Sequence, residues 1–423
     1  MRIPKRWIVL IGSFLAYMFD ALELSILSLA LPAMRTDLGI DVVQGGWLAT
    51  VTLLGIGVSS VTIGRLADRY GRKRALVWSL SIFGTLTALV FFAPNFTTIL
   101  ILRFLSGLGL GGVWAIVSTY VVETWAPAKR GRAVAFVLSS FAIGGLLAAL
   151  IANIGGTDWR IMFLIAGLSA VVPVLFCGLL FTESEAWLAS SAGQRRNSPT
   201  HESAPELKYR FRDLFGRRYA RNTVVGTLVC AFALLGFWGA SAWLPTFLAE
   251  ERGVPGDTVA VFVAVLNIGL FVGYNAFGLI ADYIGRKRAL MISLIGVGVV
   301  LPLYAFTADE TTLLVLGPAY AFFAVFTGIL GSYLGELFPT ELRATGVGFA
   351  FNIGRGISAL APLLLGYIAA GHGFGFGFII CGLCFLASGV LVCFLPNTFT
   401  RRDRKSNSVR DVGLNEEKGT VLS

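Results

Sequence analysis

The sequence predicts an all-α integral membrane protein whose twelve transmembrane helices form two related six-helix bundles. The first observation is composition: the 423 residues are 56% hydrophobic and 14% charged, whereas soluble proteins carry about 25% charged residues. The second is that apolar runs of membrane-spanning length recur along the whole chain. The third is that motifs of the first half return in the second. With so few polar side chains the chain cannot cover a water-soluble surface, so soluble, disordered and disulfide-rich classes are excluded.

Each predicted span is an apolar run of about 20 residues, the length that crosses the hydrocarbon core of a bilayer. The third run ends at the turn signal Pro94-Asn95, and the last apolar block is too long for one crossing and breaks at Gly371-His372-Gly373. In chain order the predicted spans are Ile8–Leu31, Val42–Gly64, Ala75–Ala93, Thr97–Val122, Ala133–Ile154, Ile161–Phe181, Asn222–Thr246, Thr258–Ile280, Ala289–Thr307, Thr311–Leu334, Ala344–Ala370 and Phe374–Leu395.

The basic residues orient these spans. Most of the 34 Lys and Arg residues fall before the first span, in every second loop, in the central segment and in the tail. Because cytoplasmic loops carry the basic excess in membrane proteins, this asymmetry predicts that both termini are cytoplasmic. The net charge of +10 is therefore a topology signal that faces anionic lipid, and no nucleic-acid partner is expected.

A repeat of about half the chain divides the sequence. Gly64–Leu76 returns as Gly278–Leu290 with nine of 13 positions identical, and Leu31-Pro32 returns as Leu244-Pro245 at nearly the same offset. We predict an N-terminal six-helix bundle, a cytoplasmic linker, a C-terminal six-helix bundle and a cytoplasmic tail at residues 1–181, 182–221, 222–396 and 397–423. Two related halves with a site between them are the plan of rocker-type secondary transporters.

The repeated loop gives a specific resemblance. Gly64–Arg74 and Gly278–Arg288 share the pattern G-x-x-x-D-x-x-G-R-K-R, which resembles the loop signature of the major facilitator superfamily. Arg103–Gly112 resembles the fourth-helix motif of the same superfamily. The resemblance covers essentially the whole chain and implies the major facilitator fold, with transport by alternating access.

Other motifs resemble particular branches of that superfamily. Thr119–Trp125 and Ser139–Gly144 resemble the sialate:proton symporter family of bacterial carriers. Phe19–Glu23 is similar to the D-x-x-D motif in the first helix of aromatic-acid:proton symporters, with Glu23 in place of the second Asp. Gly144-Gly145-Leu146 replaces the Gly-Pro pair that drug antiporters usually carry in helix five. The resemblance implies a metabolite:proton symporter in the inner membrane of a bacterium.

Two acids in the first span are candidates for proton coupling, because a charge at the bilayer centre costs roughly 2.5–3.5 kcal/mol and normally faces a wet cavity or a partner. Asp20 lies about 18 Å into the first helix at 1.5 Å per residue, and Glu23 follows on nearly the same face. Two carboxyl groups so close in low dielectric do not ionise together, so one is expected to carry a proton near neutral pH. The sequence does not separate their roles, and the alternative is that one acid pairs with an arginine to hold helices together.

Two arginines within spans are the candidate partners. Arg355 lies midway along the eleventh span, and its planar fork of donors suits a carboxylate. We predict that Arg355 binds the acid group of the substrate; the alternative is a salt bridge to Asp20 or Glu23. For Arg103 the resemblance implies a part in proton transfer or in orienting the first helix, and a structural pairing with the first-helix acids is the alternative.

Neutral polar and aromatic side chains complete the predicted substrate site. The amides that could hydrogen-bond a hydroxylated acid are those of Asn267, Asn275 and Asn352. The aromatic candidates for the wall of a central cavity are Tyr17, Trp114, Trp238 and Tyr274. For each aromatic residue, ordinary helix packing is the alternative.

The repeated loops predict a mechanical role. An acid that follows an apolar span and precedes a basic run can cap a neighbouring helix or pair with a loop arginine. The resemblance implies that such contacts hold one face of the carrier closed and break when it opens. The predicted conformational lock comprises Asp68, Arg72, Glu123 and Arg130 in the first half and Asp282, Arg286, Glu336 and Arg343 in the second.

No metal site, cofactor site or enzymatic chemistry is expected. All five cysteines fall within spans, and the two histidines are far apart in sequence. Gly107-x-Gly-x-x-Gly112 matches a dinucleotide fingerprint but lies in an apolar span, where small residues are expected to let helices approach closely. The sequence has no phosphate-binding loop and no credible nucleophile–base pair, so the proton gradient is the expected energy source.

Together these features predict a proton-coupled symporter of a small organic anion, a monocarboxylate such as sialate, lactate or an aromatic acid. The expected partners are that anion, the proton and the lipid bilayer, with the carrier acting as a monomer. The alternatives are an exporter or exchanger of the same fold and a carrier of a neutral solute such as a sugar.

Overall fold

The computed structural model describes residues 4–125, 130–185, 187–189 and 211–398, excluding the side chains of residues 61, 64, 65, 68, 131, 211, 340, 341 and 344. Twelve helical segments in these residues are long and apolar enough to cross a membrane, which confirms the predicted number of spans. The linker predicted at 182–221 and the tail at 397–423 lie largely outside the described residues.

The twelve spans are built from sixteen α-helices within the described residues. In chain order the helices are α1 (Lys5–Leu38), α2 (Val42–Tyr70), α3 (Arg72–Leu89), α4 (Phe96–Leu110), α5 (Val113–Thr124), α6 (Arg130–Gly155), α7 (Trp159–Ser169), α8 (Val171–Leu180), α9 (Ala220–Glu250), α10 (Gly256–Ile284), α11 (Arg286–Phe306), α12 (Glu310–Phe323), α13 (Phe326–Glu336), α14 (Thr340–Ser358), α15 (Ala361–His372) and α16 (Phe374–Cys393).

Four spans are interrupted, which the apolar pattern did not predict. Spans 4, 6, 10 and 11 each consist of two consecutive helices: α4 and α5, α7 and α8, α12 and α13, and α14 and α15. In span 11 the break at Ala359 and Leu360 is followed by α15, whose second residue is Pro362. Proline lacks the N–H that would continue the helix, so this break follows from the local sequence, whereas an apolar run alone does not reveal a break of one or two residues.

The repeated loop has the same backbone geometry in both halves. Gly71 separates α2 from α3 with φ 102°, and Gly285 separates α10 from α11 with φ 89°. Glycine is the residue that adopts positive φ without steric cost. The sequence repeat is therefore also a structural repeat, in which one glycine ends a span and begins the next.

The face of the helix bundle that holds Lys5 and Glu185, whose side chains pair at 2.8 Å, is called the terminal face here. At the opposite face the two halves are joined by an ion pair between Arg35 of α1 and Glu250 of α9. Deeper in the bundle, the backbone N–H of Leu363 donates across the halves to the buried Thr50 Oγ1 at 3.3 Å. At the opposite face, therefore, the two halves are closed against each other.

Large apolar side chains remain exposed on the outside of the bundle. Leu179, Phe306 and Val315 are 77%, 73% and 66% exposed, an arrangement that water would penalise and lipid accommodates. Three charged residues lie in the interior instead, since Asp20, Glu23 and Arg103 are all buried.

Close helix contact explains the glycine-rich start of span 4. A Cβ on Gly107 would overlap the carbonyl oxygen of Thr52, and a Cβ on Gly55 would overlap that of Phe104. The prediction that the Gly107 motif serves close approach of helices is thus confirmed, here for α2 against α4. Gly57, on the same helix as Gly55, has no heavy atom within 4 Å of the place a Cβ would take.

We expect the substitution Gly107→Ala to lower the free energy of unfolding by about 1–3 kcal/mol, because overpacking forces a backbone shift. Gly57→Ala should be neutral or slightly stabilising, because alanine favours the helix and meets nothing. Thermal unfolding of the purified protein in detergent measures both. Equal melting temperatures for the two variants would contradict this account of the α2–α4 contact.

Candidate functional site

Two cavities lie between the halves, near the middle of the spans. The outer cavity, of about 110 Å³, receives residues from spans 1, 2, 4, 5, 7, 8, 10 and 11. The inner cavity, of about 50 Å³, lies nearer the terminal face and includes Tyr17 and Arg355. Phe141, Phe237 and Trp238 line both cavities. The Phe141 and Phe237 rings, from opposite halves, have centroids 6.4 Å apart.

Arg355 is the cation of the inner cavity. It lies on α14, one turn before the helix ends at Ser358, and its guanidinium stands 5.2 Å from the centre of the Phe351 ring. Its side chain has no hydrogen bond or ion pair to any residue that the structure describes, so the alternative salt bridge to Asp20 or Glu23 is not formed here. A guanidinium that lines a mid-membrane cavity without a partner is available to an anionic ligand.

The four predicted aromatic residues all line the inner cavity, together with Arg355; they are Tyr17, Trp114, Trp238 and Tyr274. Trp114 stacks on Phe351 across the two halves, with centroids 5.6 Å apart and planes inclined by 10°. The hydroxyl of Tyr274 shares a hydrogen bond of 2.9 Å with Thr327 Oγ1. The inner cavity is thus lined mainly by aromatic rings, together with one guanidinium and a few hydroxyl groups.

Of the three predicted amide residues, one lines a cavity and two do not. Asn267 lines the outer cavity and donates to the carbonyl of Val263 at 2.8 Å. Asn275 and Asn352 are exposed and line neither cavity, and Asn275 donates to Phe271 of its own helix. Asn275 follows Tyr274 by one residue and therefore points about 100° away around the helix. The structure does not bring these two amides to the site.

The structure gives the two first-helix acids different environments, which the sequence could not distinguish. Glu23, which is 1% exposed, forms an ion pair with Arg103 and also accepts a hydrogen bond from Thr87 Oγ1. Arg103, which is 0% exposed, additionally donates from Nε to Thr52 Oγ1 at 3.2 Å. Glu23 and Arg103 therefore form a closed, buried pair inside the first half, which is the structural alternative for Arg103.

Asp20 has a different environment. It is buried, and no hydrogen bond or ion pair holds its carboxyl group among the residues described. It lies one turn from Tyr17 on α1, within electrostatic range of Arg355 and Glu23. Of the two acids, Asp20 is the one left without a hydrogen-bonding partner among the described residues.

The predicted lock residues of the first half bind the segment that leaves span 6. Arg72 Nη2 lies 3.5 Å from Glu123 Oε1, and Glu123 accepts a hydrogen bond from Ser184. Tyr120 donates to the carbonyl of Thr182 at 3.1 Å. These contacts lie within one half rather than across the two.

The second half repeats this arrangement after span 12. Arg286 forms an ion pair with Glu336, and Glu336 accepts a hydrogen bond from Thr398. Tyr333 donates to the carbonyl of Pro396 at 2.8 Å. Sequence analysis missed the two tyrosines, although Tyr120 and Tyr333 recur at the same offset as the glutamates and could have been found by it.

The remaining lock residues are engaged locally or lie outside the described side chains. Arg130 donates from Nε to the carbonyl of Trp125 at 2.9 Å, and Arg343 donates likewise to Gly335 at 2.7 Å. Asp282 lies near the end of α10 and is not without a partner. The side chain of Asp68 is outside the described part of the chain. In this structure the ion pair between Arg35 and Glu250 joins the halves, at the opposite face, and sequence analysis assigned it no role.

Comparison with known proteins agrees with this architecture. The family model of the Major Facilitator Superfamily matches residues 13–277 and 258–418, and the chain belongs to that superfamily. Its fold and its relatives are those of membrane transporters rather than enzymes.

Individual relatives carry organic acids. The chain is 30% identical over 400 residues to the sialic acid transporter NanX of Escherichia coli, covering 92% of this chain and 94% of the relative. It is 28% identical to the cis,cis-muconate transport protein of Acinetobacter baylyi, covering 91% and 92%. The crystal structure of a D-xylose–proton symporter superposes with a TM-score of 0.73 at 16% identity, covering 93% of this chain and 99% of that one, which shows the shared fold.

Proposed function

We propose that this protein is a proton-coupled symporter that carries a small organic monocarboxylate by alternating access. The observation that carries the proposal is Arg355, a guanidinium that lines the inner cavity with no partner among the described residues. Holding a fixed positive charge in the middle of a membrane protein is costly. A carboxylate substrate offsets that cost through two parallel charge-assisted hydrogen bonds. Two relatives are named for carboxylic acids, sialic acid and cis,cis-muconate, of which the second has two carboxyl groups.

The walls of the inner cavity favour a planar, unsaturated or aromatic acid among the monocarboxylates. Its lining consists mostly of aromatic rings and leucines, with Thr327 and two tyrosines as the neutral hydroxyl groups. A polyhydroxylated acid would leave several hydroxyl groups without partners there, and each buried polar group left unpaired costs about 1–3 kcal/mol. A flat ring instead stacks against such walls.

Asp20 is the proton site in this proposal. Its carboxyl group has no hydrogen-bonding partner and lies within electrostatic range of Arg355. When Asp20 is ionised it attracts the guanidinium and competes with the substrate for it. When a proton neutralises Asp20, this competition ends and Arg355 binds the anion alone, so proton and anion are loaded together.

Alternating access supplies the movement. The halves are closed at the opposite face through Arg35 and Glu250, which corresponds to a carrier shut on its outer side when the terminal face is cytoplasmic. In this proposal the carrier acts as a monomer in the bacterial inner membrane. The proton gradient supplies the work, at about 2.3 kcal/mol per elementary charge for each 100 mV.

The substitution Asp20→Asn is expected to remove the response to a pH gradient while leaving substrate exchange intact, because asparagine stays neutral at every pH. Uptake of a labelled aromatic acid into proteoliposomes is measured with and without an inward proton gradient, and exchange is measured with substrate on both sides. Wild-type uptake should rise with the gradient and fall with a protonophore.

The matched control is Asp257→Asn, at an exposed carboxylate in the first turn of α10, which should behave as wild type. Wild-type uptake that ignores the gradient would contradict symport. Uptake by the Asp20→Asn variant that still follows the gradient would contradict the role of Asp20 alone.

A further inference from the structure

The outward surface of α3 carries a stripe of exposed side chains that ends at an arginine. Trp78, Ile82 and Leu89 are exposed and recur at intervals of four and seven residues, so they lie on one face of the helix. Arg74 precedes Trp78 by four residues and is exposed on the same face. Because α2 runs from the opposite face to the terminal face and α3 returns, Arg74 lies at the terminal face and the apolar residues lie deeper in the membrane.

Two aromatic rings and a second arginine complete this end of α3. The rings of Tyr70 and Trp78 have centroids 5.8 Å apart, and both side chains are exposed. The guanidinium of Arg69 stands 5.3 Å from the centre of the Tyr70 ring. Arg69 and Arg74 therefore flank one aromatic pair, and the four residues Arg69, Tyr70, Arg74 and Trp78 are called the α3 cluster here.

The two arginines of the α3 cluster have no hydrogen bond or ion pair among the residues that the structure describes. Arg72, which lies between them in sequence, is instead paired with Glu123. Tyrosine and tryptophan are enriched at the depth of the lipid headgroups, so the two unpaired guanidinium groups stand where the phosphate groups of a bilayer lie. The planar fork of an arginine fits phosphate oxygens, and each arginine near an anionic membrane surface raises affinity about fivefold.

The second half of the chain provides a comparison, because the repeat places an equivalent helix, α11, after the same glycine turn. Arg288 occupies the position of Arg74. Ile292 occupies the position of Trp78 and is equally exposed, at 46% against 45%. Tyr283 takes the place of the second arginine. The loop geometry that both halves share therefore requires neither the tryptophan nor the second arginine, and these two residues serve a purpose particular to the first half.

We propose that the α3 cluster binds the headgroup of an anionic phospholipid. The lipid phosphate lies between the guanidinium groups of Arg69 and Arg74, the ring of Trp78 packs against the glycerol region, and an acyl chain follows Ile82 and Leu89. Two guanidinium groups carry more positive charge than one phosphate neutralises, so a headgroup with its own ammonium group is repelled. Phosphatidylglycerol, whose headgroup is uncharged beyond its phosphate, fits the site, whereas phosphatidylethanolamine does not. The proposal is independent of what the carrier transports.

Photo-crosslinking tests the site within a single molecule, with α11 as the internal reference. The purified carrier is embedded in phosphatidylcholine nanodiscs that contain a trace of phosphatidylglycerol with a diazirine in one acyl chain. Labelled peptides of α3 and α11 are quantified by mass spectrometry and normalised to the labelling by a phosphatidylcholine probe with the same chains. The phosphatidylglycerol probe should favour α3 over α11 at least fivefold, because α11 offers one arginine instead of two.

Two further ligands define the chemistry of the site. A phosphatidylethanolamine probe with the same chains should label α3 and α11 to similar extents. Free glycerol phosphate should not displace the phosphatidylglycerol probe, because it lacks the acyl chains that contact the apolar stripe. Displacement by glycerol phosphate would overturn the lipid as the occupant, and equal enrichment of the two phospholipid probes on α3 would overturn the preference for an anionic headgroup.

Variants then assign the effect to residues. The double variant Arg69→Gln with Arg74→Gln should lower the labelling of α3 to the level of α11. Trp78→Ile, which copies the second half, should lower it in part. Arg288→Gln is the matched control and should leave α3 unchanged. All four side chains are exposed, so the melting temperature of each variant should equal that of the wild type.

Two outcomes would overturn the site itself. The first is equal enrichment of the phosphatidylglycerol probe on α3 and α11 of the wild type, a comparison that needs no variant to fold. The second is unchanged labelling of α3 in the double arginine variant. A loss of equal size on both helices in that variant would also overturn it, because the arginines would then act only through the general charge of the terminal face.

Discussion

Replacing Arg355 with alanine is expected to weaken binding of the transported acid by about 10- to 100-fold, the range for losing hydrogen bonds to a charged group. The guanidinium has no partner among the described residues, so its removal breaks no ion pair and should leave the fold intact. Loss of affinity with an unchanged melting temperature of the ligand-free protein is therefore the signature of a binding residue.

The variant Arg355→Lys refines this test. Lysine keeps the charge but presents it as a point rather than a planar fork, so it cannot form two parallel hydrogen bonds with a carboxylate. Its affinity should lie between those of the wild type and the alanine variant. The control is Arg218→Ala, at an exposed arginine that stands over the ring of Tyr219, which should not change binding. If Arg355→Ala binds the acid as tightly as wild type does, the anion site must be sought elsewhere.

Most of the architecture could be read from the sequence because it depends on local patterns. The length of the apolar runs gave the twelve spans, and the repeated loop gave two related halves, whose turning glycines Gly71 and Gly285 share one backbone geometry. The interruptions could not be read in this way. The break between α12 and α13, for example, falls at Ala324 and Val325, and neither residue disfavours a continuous helix strongly.

The site was predictable in its residue types but only partly in its pairings. Asp20, Glu23 and Arg355 could be identified because they are charged residues inside apolar spans. Such charges are costly in a membrane, so their presence indicates a functional role. What distinguishes Glu23 from Asp20 is the position of Thr87 and Arg103, on spans 3 and 4, which are distant in sequence. Sequence position placed the two acids on one face of a helix, whereas the packing of neighbouring helices paired only one of them.

The same difference appears among the predicted lock residues. Their charges and spacing were recognised, but the structure joins Arg72 to Glu123, and Arg286 to Glu336, within each half. The ion pair that crosses between the halves uses Arg35, in the last turn of α1, where no sequence pattern indicated a partner in the other half. A repeat identifies elements that behave alike, and it carries no information about which surfaces of the two copies meet.

The pair formed by Glu23 and Arg103 leads to the second large expected effect. Glu23→Gln should lower the free energy of unfolding by about 3–5 kcal/mol, because it leaves a buried guanidinium without its counter-charge. The double variant Glu23→Gln with Arg103→Met should recover much of that loss, since no buried charge then remains. Unfolding followed by circular dichroism in detergent measures the wild type, the two single variants Glu23→Gln and Arg103→Met, and the double variant. The non-additive part of this cycle reports the coupling between the two residues.

The exposed pair formed by Arg286 and Glu336 provides the comparison for this cycle. Its side chains are 43% and 31% exposed, and pairs of that kind are worth about 0–1 kcal/mol. Glu336→Gln should therefore change stability several-fold less than Glu23→Gln does. Equal losses for the two glutamates would contradict the buried pair as the organising contact of the first half. A double variant no more stable than Glu23→Gln alone would contradict an uncompensated charge as the source of the cost.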